Sequence, residues 1–376
     1  MGNAVKTGKY ANLLAERGYP EAEIRAKIES AFAEIYFGEH RIYFENDDGT
    51  GYMVDTGNDD VRTEGQSYGM MQALQMNRKD VFDRIWLWTK KYMYQHSGEN
   101  AGYFAWSCKK DGARNSEGPA PDGEEYFAMA LLFAERRWGN GAGVLDYGAE
   151  GRAMLREMVH KEHEPMFDPA TKLIRFVPNA PFTDPSYHLP HFYELFAEYG
   201  NPEDAEFFRD AARLSREFLR KTCDAGTGLN PNQANYDGTP TEWNGSRSYF
   251  YSDAYRTAMN IALDFGWYGA DEWQPAQAEA IQRFFLDGKQ FGFVHETDGT
   301  VITPQFREPD ASETGMLHPL GLMATTACSS LAAEKYREHY IKLFWGLELR
   351  RDKRRYYDNL LYFFCLLALA GEYRAY

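Results

Sequence analysis

Apolar residues recur every three to four positions along most of this chain. In PEAEIRAKIESAFAEIYFG (20–38), Ile24, Ile28, Phe32 and Ile35 fall on one helical face, and RKDVFDRIWLWTKKYMYQH (78–96) repeats the pattern with Val81, Ile85, Trp88 and Tyr92. GEEYFAMALLFAERRWG (123–139) is apolar on most faces, which predicts a buried helix. QSYGMMQALQM (66–76) reads as the start of another. Further helices are expected at 148–161, 188–199, 203–222, 253–265, 275–287, 321–333, 335–346 and 354–371, with Pro202, Pro275 and Gly371 near predicted ends. Strand signals are few: KLIRFVP (172–178) and FGFVHETDGTVITP (291–304) read as short strands or hairpins, the second with Asp298-Gly299 as a turn. No composition break marks a linker, so residues 1–376 are expected to form one domain. About a dozen helices joined at alternate ends suit a closed barrel of helical hairpins or a solenoid; the absence of a repeat weighs against the solenoid.

Composition narrows the partners. The net charge of −15 argues against nucleic acid, whose binding leans on clustered Lys and Arg. The one basic cluster, RRDKRRYYDN (350–359), reads first as a solvated helix start. Aromatic residues make up 16% of the chain, with 26 Tyr. Such side chains combine a flat apolar face with a polar tip and suit a wet cleft for a hydroxylated ring. Cys108, Cys223, Cys328 and Cys365 show no paired spacing, so no disulfide framework is expected. No apolar leader region is present, and the longest apolar run, LLYFFCLLALA (360–370), is too short to span a bilayer. A cytoplasmic protein with no membrane association is expected.

Three acids stand out because each precedes or opens a helical pattern beside small residues and tyrosines. They are Glu64 in RTEGQSYGM, Asp122 in GPAPDGEEYFAMA and Asp253 in FYSDAYRTAMN. Taken singly, each reads first as a cap opposing the helix macrodipole. Should the three helix starts converge, three carboxylates would line one cleft. Crowded carboxylates raise one another's pKa, so that one stays protonated while another ionises, and glycoside cleavage needs that split. The His pairs in HKEHE (160–164) and HLPHFYE (188–194) lack a third ligand, and ENDDGTGY (45–52) lacks calcium-loop spacing, so no metal is expected. Nucleotide-binding and serine-hydrolase motifs are absent.

Ordered along the chain, DVRTEGQSYGM, AGYFAWSC, GPAPDGEEYFA, DPSYHLPHFYELF, YSDAYR, LHPLGL and RRYYDNLLYFF resemble glycoside hydrolase family 8, and within it the branch that releases xylose from reducing ends. The resemblance runs from about residue 10 to 372. It implies an all-α fold, an (α/α)6 barrel with short β hairpins in loops, and inverting hydrolysis of β-1,4-linked sugars without a cofactor. It implies that Glu64 is the general acid, Asp253 the general base and Asp122 the acid that holds and distorts the −1 sugar. Arg62, Trp106, Tyr187, Arg256, Tyr356 and Tyr357 match substrate-binding positions. Leu317, His318 and Pro319 match a loop that closes the cleft beyond the +1 sugar, where the imidazole would meet the reducing-end hydroxyl. Gly65 would let a sugar approach the Glu64 carboxyl closely. The stretch 285–313 departs from the pattern.

These expectations leave three functions to separate. The first is an exo-acting hydrolase of xylo-oligosaccharides. The second is an endo-acting xylanase, cellulase or chitosanase with an open cleft. The third is a sugar-binding protein without activity.

Overall fold

The computed structural model describes residues 2–241, 248–302 and 316–376. Among them, two single-turn helices, α1 (Ala4–Thr7) and α2 (Leu13–Glu16), precede twelve longer ones. These are α3 (Glu21–Phe37), α4 (Thr63–Gln75), α5 (Lys79–Tyr92), α6 (Pro121–Trp138), α7 (Tyr147–His160), α8 (Pro190–Tyr199), α9 (Ala205–Thr222), α10 (Tyr255–Tyr268), α11 (Trp273–Phe284), α12 (Pro319–Cys328), α13 (Arg337–Trp345) and α14 (Arg355–Leu369).

The packing closes on itself. α4 packs on α6, α6 on α8, α8 on α10, α10 on α12, α12 on α14, and α14 back on α4. Each remaining helix covers this ring from outside: α3 against α14, α5 against α4, α7 against α6, α9 against α8, α11 against α10 and α13 against α12. This is an (α/α)6 barrel. Because inner and outer helices alternate along the chain, the six inner helices run in one direction and present their N-termini at one end.

The sequence pattern explains the sorting. Inner helices are buried almost all round: every residue of α6 from Pro121 to Ala134 is buried, and so is every residue of α14 from Tyr356 to Leu369. Outer α9 buries one stripe, Phe208, Ala211, Ala212, Ser215, Phe218 and Leu219, and leaves charge on the other face. Each fully buried Leu or Phe stabilises by roughly 1.5–3 kcal/mol. Leu360, Leu361, Phe363, Phe364, Leu366 and Leu369 are all fully buried, so α14 is where a polar substitution would do most damage. One apolar cluster runs from Leu13 to Tyr373 and draws on all twelve long helices. All four cysteines are free and buried, as their spacing suggested.

The strand and hairpin expectations are met only in part. KLIRFVP contributes a single bridge, Phe167 to Ile174, and 291–302 contributes only bridges through His295 to Phe250 and Val301; residues 303 and 304 lie outside the described residues. The second stretch does form a short hairpin turning at Asp298-Gly299, with the Glu296 N–H donating to the Thr300 carbonyl (2.9 Å) and the Ile302 N–H to the Val294 carbonyl (3.1 Å), whereas KLIRFVP finds no long enough partner to become a strand. The described strands are shorter and lie elsewhere: β1 (Tyr43–Glu45) pairs with β2 (Gly51–Met53), while β3 (Val61–Arg62), β4 (Ser107–Cys108) and β5 (Arg114–Ser116) form a second sheet. ENDDGTGY is thus the turn of the β1–β2 hairpin. The second sheet serves the site: Arg62 pairs with Ser107, and the Thr63 N–H donates to the Trp106 carbonyl (2.9 Å).

Candidate active site

The end where the inner N-termini gather carries the three acids. α4 begins at Thr63, three residues earlier than the apolar pattern suggested, so Glu64 is its second residue. Asp122 is the second residue of α6, and Asp253 lies in a 3-10 turn, Ser252–Ala254, leading into α10. The cap question resolves differently for each. Neither helix has a side-chain cap at the preceding residue. Asp122 Oδ1 does accept the Gly123 N–H (2.8 Å), so this acid partly caps its own helix. Glu64 and Asp253 turn instead to Arg256.

Arg256 is the hub. Its side chain is 2% exposed, and Nη1 donates to Glu64 Oε2 (3.1 Å), Asp122 Oδ2 (2.9 Å) and Tyr68 Oη (2.9 Å). Nη2 lies 3.3 Å from Asp253 Oδ1. One guanidinium therefore neutralises part of three acids in a poorly hydrated place, where an unpaired charge would be costly. The planar fork permits this; a lysine would offer a single point charge. Its carbon centre also lies 5.4 Å from the Tyr187 ring and 5.9 Å from the Tyr357 ring, within cation–π range.

The acids differ in environment. The Asp253 side chain is 32% exposed, against 15% for Glu64 and 10% for Asp122. Burial is the main cause that pushes the Glu64 carboxyl up to about 7; the Arg256 charge pulls it down, and Asp122 and Asp253 add a smaller upward push. Asp122 is also raised, again chiefly by burial. Mutual repulsion, the cause expected from the sequence, is thus secondary to loss of water.

Two glycines bring the acids together. A side chain at Gly123 would meet Thr63 Cβ at 2.5 Å, so α4 and α6 approach closely where they carry Glu64 and Asp122. A side chain at Gly65 would meet the Tyr356 ring at 2.5 Å. Gly65 therefore makes room for Tyr356, which corrects the expectation that it admits the sugar.

Two cavities meet at the acids. The larger, about 360 Å³, is lined by Arg62, Glu64, Trp106, Asp122, Tyr187 and Asp253, with Phe176 and Val177. The smaller, about 150 Å³, is lined by Leu317, His318, Arg354, Tyr356 and Tyr357, and shares Arg62, Glu64 and Asp253 with the first. Arg62 is held by Asp60 (3.0 Å) and Asp55 (3.4 Å), with its guanidinium 5.2 Å from the half-exposed Trp106 ring. Tyr187 sits on a 3-10 turn capped by Asp184, whose Oδ1 accepts the Ser186 N–H (2.8 Å). His318 packs edge-on against Tyr357 (4.8 Å). The Tyr357 hydroxyl donates to the Ser252 carbonyl (3.2 Å), and Ser252 holds a left-handed φ of 48° beside Asp253. Such strain persists where surrounding contacts over-determine it.

Of the residues singled out from the sequence, Arg256 lines neither cavity but contacts the three acids, and Pro319 lines neither but opens α12. The others line one or both. Asp55, Asp60, Tyr68, Phe176, Asp184 and Arg354 belong to the site and were not singled out as site residues. Tyr68 alone had a local signal, its place one helical turn after Glu64. Among the described residues, no group of His, Cys, Asp and Glu has metal-holding geometry. His188 bonds Thr183 and Ser215 (both 2.9 Å), and His191 is buried among aromatic rings.

Comparison with known proteins fits this geometry. The model of glycosyl hydrolases family 8 matches residues 39–370. The chain belongs to this family. It is therefore a glycosidase. It is 50% identical to the reducing-end xylose-releasing exo-oligoxylanase Rex8A of Paenibacillus barcinonensis, over 99% of this chain and 98% of that one. It is 48% identical to the reducing end xylose-releasing exo-oligoxylanase of Halalkalibacterium halodurans, over 99% and 95%. A solved structure of a Rex8A variant, complexed with an arabinofuranosyl-xylotetraose, aligns with TM-score 0.95 at 49% identity, over 100% of this chain and 99% of that one.

Proposed function

We propose that this family 8 enzyme releases single xylose units from the reducing end of β-1,4-xylo-oligosaccharides, with inversion, and that residues 1–376 act as one catalytic domain. The observation that carries the reading is the pair of unequal cavities sharing Glu64 and Asp253 as their boundary. A chain seated across that boundary has its scissile bond beside both carboxyls, with little room on the Leu317–His318 side. The names of the close relatives support the substrate class.

In this reading Glu64, kept protonated by burial, donates its proton to the glycosidic oxygen as the bond to the anomeric carbon breaks. Asp253, the most exposed of the three, takes a proton from a water whose oxygen bonds to that carbon from the opposite face. Asp122 holds ring hydroxyls of the −1 sugar and favours its distorted form. Tyr187 and Arg256 flank the water and the base. Arg62 and Trp106 offer a stacking wall to the non-reducing part, while Leu317, His318, Tyr356 and Tyr357 enclose the leaving xylose, with Pro319 fixing the loop. No cofactor takes part in this scheme.

We place the enzyme in the cytoplasm, where four free, buried cysteines are at home. No helix among the described residues is long and apolar enough to cross a membrane. Product analysis on xylotriose with anomeric detection tests the reading. Xylose plus α-xylobiose as first products is the expected result; β-xylobiose, or mid-chain cuts on long xylan, would overturn it.

A further inference from the structure

Leu317 and His318 lie just before α12, where His318, at the N-cap position, makes no side-chain cap hydrogen bond. The missing cap comes from another helix. Asp358, on the first turn of α14 and fully buried, accepts the Gly321 N–H through Oδ1 (2.5 Å). Its other oxygen, Oδ2, accepts from Arg350 Nη1 and lies 3.5 Å from His318 Nδ1. The same Arg350 nitrogen donates to the Leu317 carbonyl (2.6 Å). Arg350 is itself clamped: its N–H donates to Asn359 Oδ1 (2.8 Å), its carbonyl accepts from Asn359 Nδ2 (2.9 Å), and its Nε donates to Asp352 Oδ2 (2.8 Å). The basic run at 350–359 is therefore not simply a solvated helix start.

We propose that Arg350 and Asp358 are positioning residues for reducing-end recognition, which rests on the reading of the small cavity given above. Arg350 fixes the Leu317 backbone. Asp358 ties the start of α12 to α14 and faces its carboxylate toward His318 Nδ1. A carboxylate at that edge favours the hydrogen on Nδ1 and leaves Nε2, on the far side of the ring, as an acceptor. An acceptor there can take the hydrogen of the reducing-end hydroxyl of a closed sugar. Tyr357, packed on the imidazole, limits its rotation. Neither Arg350 nor Asp358 lines either cavity, so both act through Leu317 and His318.

The test compares kcat/KM on xylotriose and on its alditol-ended form, in the wild type, Asp358→Asn and Arg350→Gln. Arg350→Gln keeps the backbone clamp of Asn359 and changes a partly exposed side chain, so it remains informative should Asp358→Asn fail to fold. Equal rates on the two substrates in the wild type would remove the reading of the small cavity itself. With wild-type discrimination present, the expected result is a loss of at least tenfold in the ratio, through a raised KM for xylotriose with kcat changed less than threefold. A ratio kept within twofold in a folded variant would overturn the proposal. Imidazole ¹⁵N shifts, assigned by the signal lost in His318→Gln, give a second readout. The expected wild-type tautomer carries hydrogen on Nδ1 and shifts toward Nε2 in Asp358→Asn; an Nε2 tautomer in the wild type would contradict it.

Discussion

The two cavities on either side of Glu64 and Asp253 differ in size and in how their walls are held. The larger, about 360 Å³, takes its walls from the starts of α4 and α6 and from the loops carrying Trp106, Phe176 and Tyr187. The smaller, about 150 Å³, takes them from α14 and from a loop braced by Arg350 and Asp358. Glu64 and Asp253 belong to both. In the proposed function, chemistry at the boundary is separate from selection on either side, and substitutions should divide accordingly.

Boundary changes come first. Glu64→Gln should lower turnover by about 10²–10⁴-fold on every substrate, the usual scale for an acid–base group. A loss confined to short or to long oligosaccharides in steady-state assays would break the division. Arg256→Met should damage stability as well as rate. It leaves Glu64 and Asp122 buried without their partner, at ~3–5 kcal/mol when both are charged. Because the guanidinium lowers both carboxyl pKa values, its removal raises them. The destabilisation should therefore be largest in alkaline denaturant titrations and shrink toward pH 5, where the acids take up protons. A pH-independent loss would count against this account of the cluster.

Wall changes come next, and they should separate the sides. Trp106→Ala should raise KM roughly tenfold, the loss of ~1.4 kcal/mol of binding, and more for longer oligosaccharides. Leu317→Ala should leave KM on short substrates closer to normal while admitting products longer than xylose on the leaving side. Product profiles on xylohexaose check both. If the two variants gave the same profile, the cavities would not be independent.

The smallest effect on catalysis concerns a buried carboxyl beside the site, whose change is read in stability. Glu124 Oε1 accepts the Phe104 N–H (2.8 Å) and so holds the loop that leads to Trp106. Burial pushes this carboxyl up to about 8. A raised folded-state pKa means that its contribution is fully present below the unfolded value near 4.5 and is lost as pH rises toward 8. Glu124→Gln keeps the acceptor without the charge. It should be near-neutral at pH 4.5 and stabilising by on the order of a few kcal/mol at pH 8, read from urea midpoints. Equal effects at both pH values would show that Glu124 carries no such penalty.

The helical pattern was legible because burial writes itself into spacing: α3 and α5 show their stripes, and α6 and α14 their all-round apolarity. Closure of the ring was not legible from periodicity and rested on the family motifs. The strand expectation failed at 172–178, where β-branched residues in a loop find only one bridge, and 291–302 forms a short hairpin at Asp298-Gly299 but no strand. The three acids were visible as acids at helix starts, but their joining through Arg256 brings together residues 134 and 192 positions apart, beyond any local pattern. Gly65 shows the same limit: the reason for a glycine there is Tyr356, from the far end of the chain. Asp358 and Arg350 stood in plain view within the motif and the basic run, yet their bonds to Leu317 and Gly321 exist only once α12 and α14 are packed.

For Glu64 to act as general acid, burial has to keep it protonated at the junction of the two cavities. The pH dependence of kcat/KM on xylotriose tests it most directly, because a general acid must hold its proton in the free enzyme. The expected result is an alkaline limb with a midpoint near 7, moved upward in a residually active Arg256→Met enzyme. Activity that already falls through the ordinary carboxylate range of about 4–5 would contradict it.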